Sequence, residues 1–352
     1  MKGPRVMNAA LLAQPRRPLV VTEVELPNSL DVGQVLVRVQ YSGICGSQLG
    51  EIDGAKGEDR YLPHLLGHEG SGTVAEIGPG VRYVKPDDRV VLHWRRGQGI
   101  ESVPPTYSWQ GRTLNAGWVT TFNEWAVVSE NRVTAIPADI DLRLAALFGC
   151  AVTTGFGVVV NNARLRIGES VVVLGAGGVG LNIVQAAALS GAYPIIAVDL
   201  HQNRLELAKE MGATHTVNAG RLDVERSLRE IVGDRGVDCV IDNTGLPASI
   251  ELGYRLSKSR GRVTLVGVPR AGANISIYSL PLHFGKVISG SHGGEAVPHE
   301  DIPRYMSLLQ AGRIALSSLI TNVYSLAEVN VALEDMRSGK SAGRSLIRMG
   351  PE

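Results

Sequence analysis

Cysteine is nearly absent from this chain: its 352 residues include only Cys45, Cys150 and Cys239. An odd and sparse set of this kind excludes a disulfide framework and fits a reducing compartment. Charge of one sign is lacking too. The formal net charge is +1, so no basic field exists to hold nucleic acid or an anionic membrane. No apolar run approaches the roughly 20 residues needed to span a bilayer, and the first twenty residues lack a long apolar stretch of the signal-peptide kind. These absences lead to the expectation of a cytoplasmic protein whose partners are small molecules. No internal repeat or low-complexity tract is visible.

Glycine is plentiful, at 42 residues, and much of it lies in short turns between apolar runs. That texture favours alternating strands and helices over a helical bundle. Residues 1–150 read as short strands broken by Pro and Gly, among them Val35–Val39, Gly72–Ile77, Arg89–Leu92 and Glu124–Val128. From about Gly168 the reading changes. Apolar runs at Val171–Leu174, Ile195–Val198, Val237–Ile241 and Arg262–Val266 alternate with helical spacing over Val179–Leu189, Arg204–Met211 and Ala248–Leu256. Strands and helices in alternation predict a doubly wound parallel sheet. The last sixty residues predict helices at Ile302–Ala311 and Leu326–Met336 and a strand near Ser345–Arg348, returning to the first domain. The expected division is 1–152, 153–291 and 292–352, with the first and last parts forming one discontinuous domain.

The segment V-V-V-L-G-A-G-G-V-G sets Gly175, Gly177 and Gly180 in G-x-G-x-x-G register, between a strand and a helix. The first glycine makes the tight turn, the second lets backbone approach a pyrophosphate, and the third lets helix pack on strand. Gly178 lies within the same loop. Free N–H groups at the helix start then attract phosphate. Asp199 closes the next strand, nineteen residues after Gly180, where a carboxylate accepts from ribose hydroxyls and repels a 2′-phosphate. NAD is therefore expected over NADP, although the nearby Arg204 is a residue type that receives a 2′-phosphate. The bland alternative is a ligand-free turn with Asp199 as a cap.

Cys45 in G-I-C-G-S, His68 in L-L-G-H-E-G and Cys150 in F-G-C-A-V-T-T-G each have an ordinary reading taken singly: a packed thiol or a satisfied structural histidine. Together they form a Cys-His-Cys set suited to zinc, with a fourth position open for water or substrate. Such an ion acidifies the oxygen it binds. Cys239, in an apolar run, reads as an inert buried thiol.

The ordered motifs G-I-C-G-S, G-H-E-G-S-G, G-C-A-V-T-T-G, G-A-G-G-V-G and G-R-S-L-I resemble those of the zinc-dependent alcohol dehydrogenase branch of the medium-chain dehydrogenase/reductase superfamily, over essentially the whole chain. The resemblance implies a GroES-like, mainly β catalytic domain beside a Rossmann domain, and hydride transfer between NAD and an alcohol. It implies Cys45, His68 and Cys150 as catalytic zinc ligands, Glu69 as the acid behind the metal, and Ser47 as the hydroxyl that passes the alcohol proton outward. It also implies Thr154 and Val179 at the nicotinamide, Val268 offering backbone to the carboxamide, Arg344 at the pyrophosphate, and a homodimer or homotetramer.

The pattern departs in three places. The stretch His93–Trp118, where many relatives carry four cysteines around a structural zinc, has none, so one catalytic ion per chain is expected. It holds Trp94, Arg95, Arg96, Tyr107, Trp109 and Trp118 instead; these line either a substrate mouth or a subunit contact. His93 and Trp94 are the candidate pocket residues, and a polar secondary alcohol such as a sugar, polyol or cyclitol is the expected substrate. Gln48 stands where an acid commonly supports the metal-bound histidine, and Gly50 where some relatives extend the proton relay with a histidine. The competing readings are a zinc-free enone or quinone reductase on the same scaffold, and a protein that keeps the fold for binding alone.

Overall fold

The computed structural model describes residues 3–350 and contains two compact units. One comprises the residues up to Cys150 together with those from Val297 onward; the other is Ala151–Ala296.

The first unit is built on two sheets. Its larger sheet centres on Gln34–Gly43, which pairs antiparallel with Glu69–Ile77, Trp125–Ser129 and the C-terminal strand Arg344–Arg348. Beyond Glu69–Ile77 lie Arg89–His93 and then Val133–Ala135. Alternation along these strands buries Val35, Val37, Val39, Val74, Val90 and Leu92 in one apolar cluster. The strand Ile320–Ser325, which no turn signal or alternation announces, runs parallel to Arg344–Arg348. The second sheet joins Val6–Leu12, Val20–Glu25 and His64–Leu65 to a hairpin of Tyr107–Trp109 and Arg112–Leu114. Tyr107 and Leu114 are buried in this sheet's own core, and the Tyr107 hydroxyl accepts from the Val127 N–H at 2.8 Å. Tyr107 therefore serves packing, in correction of the expectation that it lines a mouth or a subunit contact.

The second unit is a six-stranded parallel sheet in the order His215–Asn218, Ile195–Asp199, Val171–Leu174, Val237–Asp242, Ser257–Leu265, Val287–Gly290. Its central strands Val171–Leu174, Ile195–Asp199 and Val237–Asp242 are mostly buried apolar runs, as expected where helices cover both faces, whereas the outer strands are more polar. The central Val171–Leu174 is buried throughout and leads through the glycine loop into helix Gly178–Leu189. The strand order reverses around Val171–Leu174, and such a switch point leaves a crevice at the strand ends where ligands bind. Among the described residues, no single helix is long and apolar enough to cross a membrane.

Candidate active site

Three turns deliver the three predicted ligands. Cys45 caps helix Gly46–Ile52 just after strand Gln34–Gly43. Its backbone is latched by Gln48, whose Oε1 accepts from the Cys45 N–H at 2.7 Å. The Gln48 side chain thus braces the turn that carries a thiol. His68 immediately precedes strand Glu69–Ile77 and is half-buried. Cys150 follows the short turn Leu147–Gly149. Gly149 has to be glycine: a Cβ there would lie 2.3 Å from the Leu92 carbonyl and 2.8 Å from the Glu69 Cα. That close approach brings Cys150 against the strand that follows His68.

The ligand atoms of Cys45, His68 and Cys150 all lie within 4.8 Å of one another. Zn–S and Zn–N bonds of about 2.3 and 2.0 Å place tetrahedral donors roughly 3.5 Å apart, so a small closure suffices. Two thiols and one imidazole fit zinc in number and in softness.

The electrostatics favour thiolate. Cys150 donates to Cys45 and holds it well below the ordinary thiol range against the effect of burial; Arg344 and His68 act in the same direction. The Cys150 thiol is correspondingly pushed up, by that hydrogen bond and by burial. Burial works against a charged His68, but its hydrogen bond to Cys45 and the nearby thiolate and Glu69 outweigh it. A bound dication supplies the charge that lets both thiols ionise.

Behind this cluster lies a fully buried ion pair. Arg344 is 2% exposed and Glu69 0%, with Nη1 and Oε1 3.2 Å apart. The same Nη1 donates to the Ile44 carbonyl at 2.6 Å. Burial opposes the Arg344 charge, but Glu69 and both cysteines hold it above its ordinary range. The resemblance put Arg344 at the pyrophosphate; in the structure its Nη1 is engaged by Glu69 and the Ile44 carbonyl, while Nε and Nη2 have no hydrogen-bond partner. Ser47 is half-buried in the first turn of the helix that Cys45 caps.

His93 requires correction. It is completely buried, with Nδ1 2.8 Å from the Arg95 carbonyl and Nε2 2.9 Å from the Thr134 hydroxyl. A carbonyl only accepts, so Nδ1 carries the proton and Nε2 accepts from Thr134. Burial, the first cause, lowers its pKa to about 4, and Arg132 adds to the effect, so the ring is neutral. His93 anchors a loop and lines no pocket. Trp94, which follows it, is half-buried.

In the other unit, the Gly180 position admits no side chain, since a Cβ would lie 1.9 Å from the Gly175 carbonyl oxygen. A Cβ on Gly177 would meet nothing within 4 Å, so the backbone at the helix start stands open to a ligand. Gly178 is the first helical residue and Val179, half-buried, the second. Asp199 Oδ2 accepts from the Ala176 N–H at 2.8 Å, and Oδ1 from the His201 N–H at 2.9 Å. The carboxylate thus ties the loop to its own strand, and Arg204 Nη1 faces it at 3.7 Å. Thr154 is buried in helix Ala151–Gly157, and Val268 is exposed. Cys239 is fully buried, and burial pushes its thiol up to about 12, which keeps it protonated and inert.

Sequence reasoning did not find Arg132 and Glu101, which pair beside Trp94. Their only local signal is two charges near an aromatic-rich stretch, and such charges usually stand on a solvated face.

Residues 31–138 match the alcohol dehydrogenase GroES-like domain, and residues 178–311 the zinc-binding dehydrogenase family. The chain is 32% identical to alcohol dehydrogenase class-3 of Cereibacter sphaeroides, over 96% of this chain and 98% of that protein. Among solved structures, an alcohol dehydrogenase zinc-binding domain protein from Burkholderia ambifaria superposes with a TM-score of 0.89 at 31% identity, covering 99% of this chain and 100% of that one. Benzyl alcohol dehydrogenase from Acinetobacter calcoaceticus gives 0.88 at 28% identity, with the same coverage. With its paired domain matches, its full-length relatives and its buried Cys-His-Cys cluster, the chain belongs to the zinc-dependent alcohol dehydrogenases of the medium-chain dehydrogenase/reductase superfamily.

Proposed function

We propose that this protein interconverts an alcohol and its carbonyl compound, using NAD and one zinc ion per chain held by Cys45, His68 and Cys150. The observation that carries the reading is the convergence of those three donors within 4.8 Å, from positions spread along the chain. When bound, zinc supplies Lewis acidity to an alcohol oxygen and NAD supplies the hydride acceptor. The chain's own residues do the rest. Arg344 steadies the thiolates, and Glu69 keeps that guanidinium from standing as an uncompensated buried charge. Ser47, two residues past Cys45, takes the proton that leaves the alcohol oxygen and passes it outward. The open backbone at Gly177 and Gly178 receives the pyrophosphate at a helix N-terminus.

NAD is supported over NADP by Asp199, whose carboxylate disfavours a 2′-phosphate, while Arg204 already faces that carboxylate. Thr154, Val179 and the Val268 backbone serve the nicotinamide end. The polyol substrate expected from the sequence leaned partly on His93; with that ring buried, the reading rests on an alcohol of unspecified skeleton. The test is metal analysis of the purified protein together with NADH absorbance on a panel of alcohols. One zinc per chain is expected, with NAD preferred over NADP in kcat/KM and the preference reduced in Asp199→Ala. Bound zinc without turnover across the panel would shift the reading to a binding protein.

A further inference from the structure

The backbone that carries the first thiol is held at every polar group. The Ile44 N–H donates to the Ser345 carbonyl at 3.0 Å, and the Ile44 carbonyl accepts from Arg344 Nη1 at 2.6 Å. The Cys45 N–H donates to Gln48 Oε1 at 2.7 Å, and the Cys45 carbonyl accepts from the Gln48 N–H at 3.0 Å. The C-terminal strand Arg344–Arg348 thus holds Ile44, and helix Gly46–Ile52 holds Cys45. The Ile44 carbonyl and the Cys45 N–H belong to one planar peptide group and point to opposite sides of it. Two buried side chains, Arg344 and Gln48, therefore grip a single plane from its two edges. Gly43 sets the approach: a Cβ there would lie 2.6 Å from Glu69 Oε1, the partner of Arg344.

Gln48 is an unexpected residue in this place if packing is its task. A backbone N–H only donates, so the amide oxygen has to face Cys45. That orientation leaves Nε2 buried without a hydrogen-bond partner, in a residue that is 0% exposed. An unmade buried donor is costly, and an apolar side chain would avoid the cost. The position keeps an amide for the sake of its oxygen. A carboxylate would offer the same oxygen, but with a negative charge near the thiols that ionise around a metal.

The grip bears on how the metal is received. The three ligand atoms lie within 4.8 Å of one another, whereas tetrahedral zinc donors stand roughly 3.5 Å apart. Some ligand has to move on loading, and the backbone of Cys45 is the part least free to do so.

We propose that Gln48 is a positioning residue for the metal: with Arg344 it presets Cys45 as the fixed corner of the site, and His68 and Cys150 make the closure. This inference rests on the metal set of the dehydrogenase reading above and deepens it.

The experiment follows the metal as well as turnover. Zinc-loaded full-length enzyme and its variants Gln48→Met and Gln48→Glu are titrated with a competing chelator, and each is exchanged with cobalt(II) for its absorption spectrum. Gln48→Met removes the oxygen that holds Cys45. It is expected to weaken zinc binding within the roughly 10–100-fold range lost with a metal's outer partners, and to displace the sulfur-to-cobalt band. Gln48→Glu keeps an oxygen for the Cys45 N–H and is expected to hold zinc at least as tightly as the unmodified enzyme, with the band in place. A packing defect alone would leave the band unmoved. An unmoved band in Gln48→Met, or equal weakening in both variants, would overturn the proposal. If Gln48→Met does not fold, Gln48→Glu decides: a band matching the unmodified enzyme upholds the proposal, and a displaced one overturns it. The expected variant pattern without turnover of any alcohol would uphold Gln48 and remove the dehydrogenase reading. Alcohol turnover with zinc binding indifferent to Gln48→Met would do the reverse.

Discussion

The two candidate sites of this chain are built in opposite ways. The dinucleotide loop uses consecutive residues, and its working groups are backbone N–H donors exposed by the absence of side chains. The metal cluster draws on Cys45, His68 and Cys150, far apart in the chain, and its working groups are side-chain atoms. A backbone site is damaged by adding atoms and a side-chain site by exchanging them. The two should therefore fail differently under substitution.

Exchange at the metal cluster is expected to have the largest effect. Cys150→Ser replaces a soft thiolate by a hydroxyl and should reduce zinc content and turnover by more than the roughly 10–100-fold lost with a metal's outer partners. Metal analysis alongside NADH absorbance checks this, and full zinc occupancy in the variant would break the comparison. Next comes Glu69→Gln, which leaves Arg344 buried without its carboxylate. Breaking such a pair costs about 3–5 kcal/mol, measurable by urea denaturation. A variant of unchanged stability would show that the thiolates alone compensate Arg344.

The third test concerns protons. The His93 pKa lies near 4 in the fold, against 6.5 ordinarily. Between those values the unfolded chain binds a proton that the folded chain refuses. Stability should thus fall with decreasing pH, by about 1.4 kcal/mol per unit and about 3 kcal/mol in all. In His93→Gln that component should disappear from the pH dependence of urea denaturation. The smallest effect is expected from adding one methyl to the backbone site. Gly180→Ala forces a Cβ against the Gly175 carbonyl and should cost about 1–3 kcal/mol, with weakened NAD binding seen by fluorescence titration. Unaltered binding and stability would mean the loop yields more easily than its packing implies.

Legibility in the sequence followed the same division. The strand Val171–Leu174 and the helix from Gly178 to Leu189 were readable almost residue by residue, because their signal is contiguous. Strand Ile320–Ser325 and helix Val224–Val232 were not predicted; the first is only half-buried, while the second sets Val224, Leu228, Ile231 and Val232 at helical spacing against the apolar core of the parallel sheet, a signal present in the sequence over only nine residues. The ligand set was legible as residue types in known motifs, while its closeness depends on sheet pairing that no local pattern reveals. Arg344 illustrates the limit. Its motif was plain, yet only the pairing of Arg344–Arg348 with Gln34–Gly43 explains why its charge ends beside Glu69. His93 failed for a similar reason: Thr134 satisfies it from another strand, forty-one positions away.

The hairpin of Tyr107–Trp109 and Arg112–Leu114 has a consequence for how the enzyme is handled. This lobe is fastened by a mainly aliphatic core into which Tyr107 and Leu114 pack and by a phenol-to-backbone hydrogen bond, and its stretch of chain holds no sulfur. Chelators and thiol oxidants therefore have nothing to seize there. A protocol that strips the ion from Cys45, His68 and Cys150 should leave the hairpin standing, so metal-depleted protein can serve as a folded starting point for reconstitution with other divalent ions.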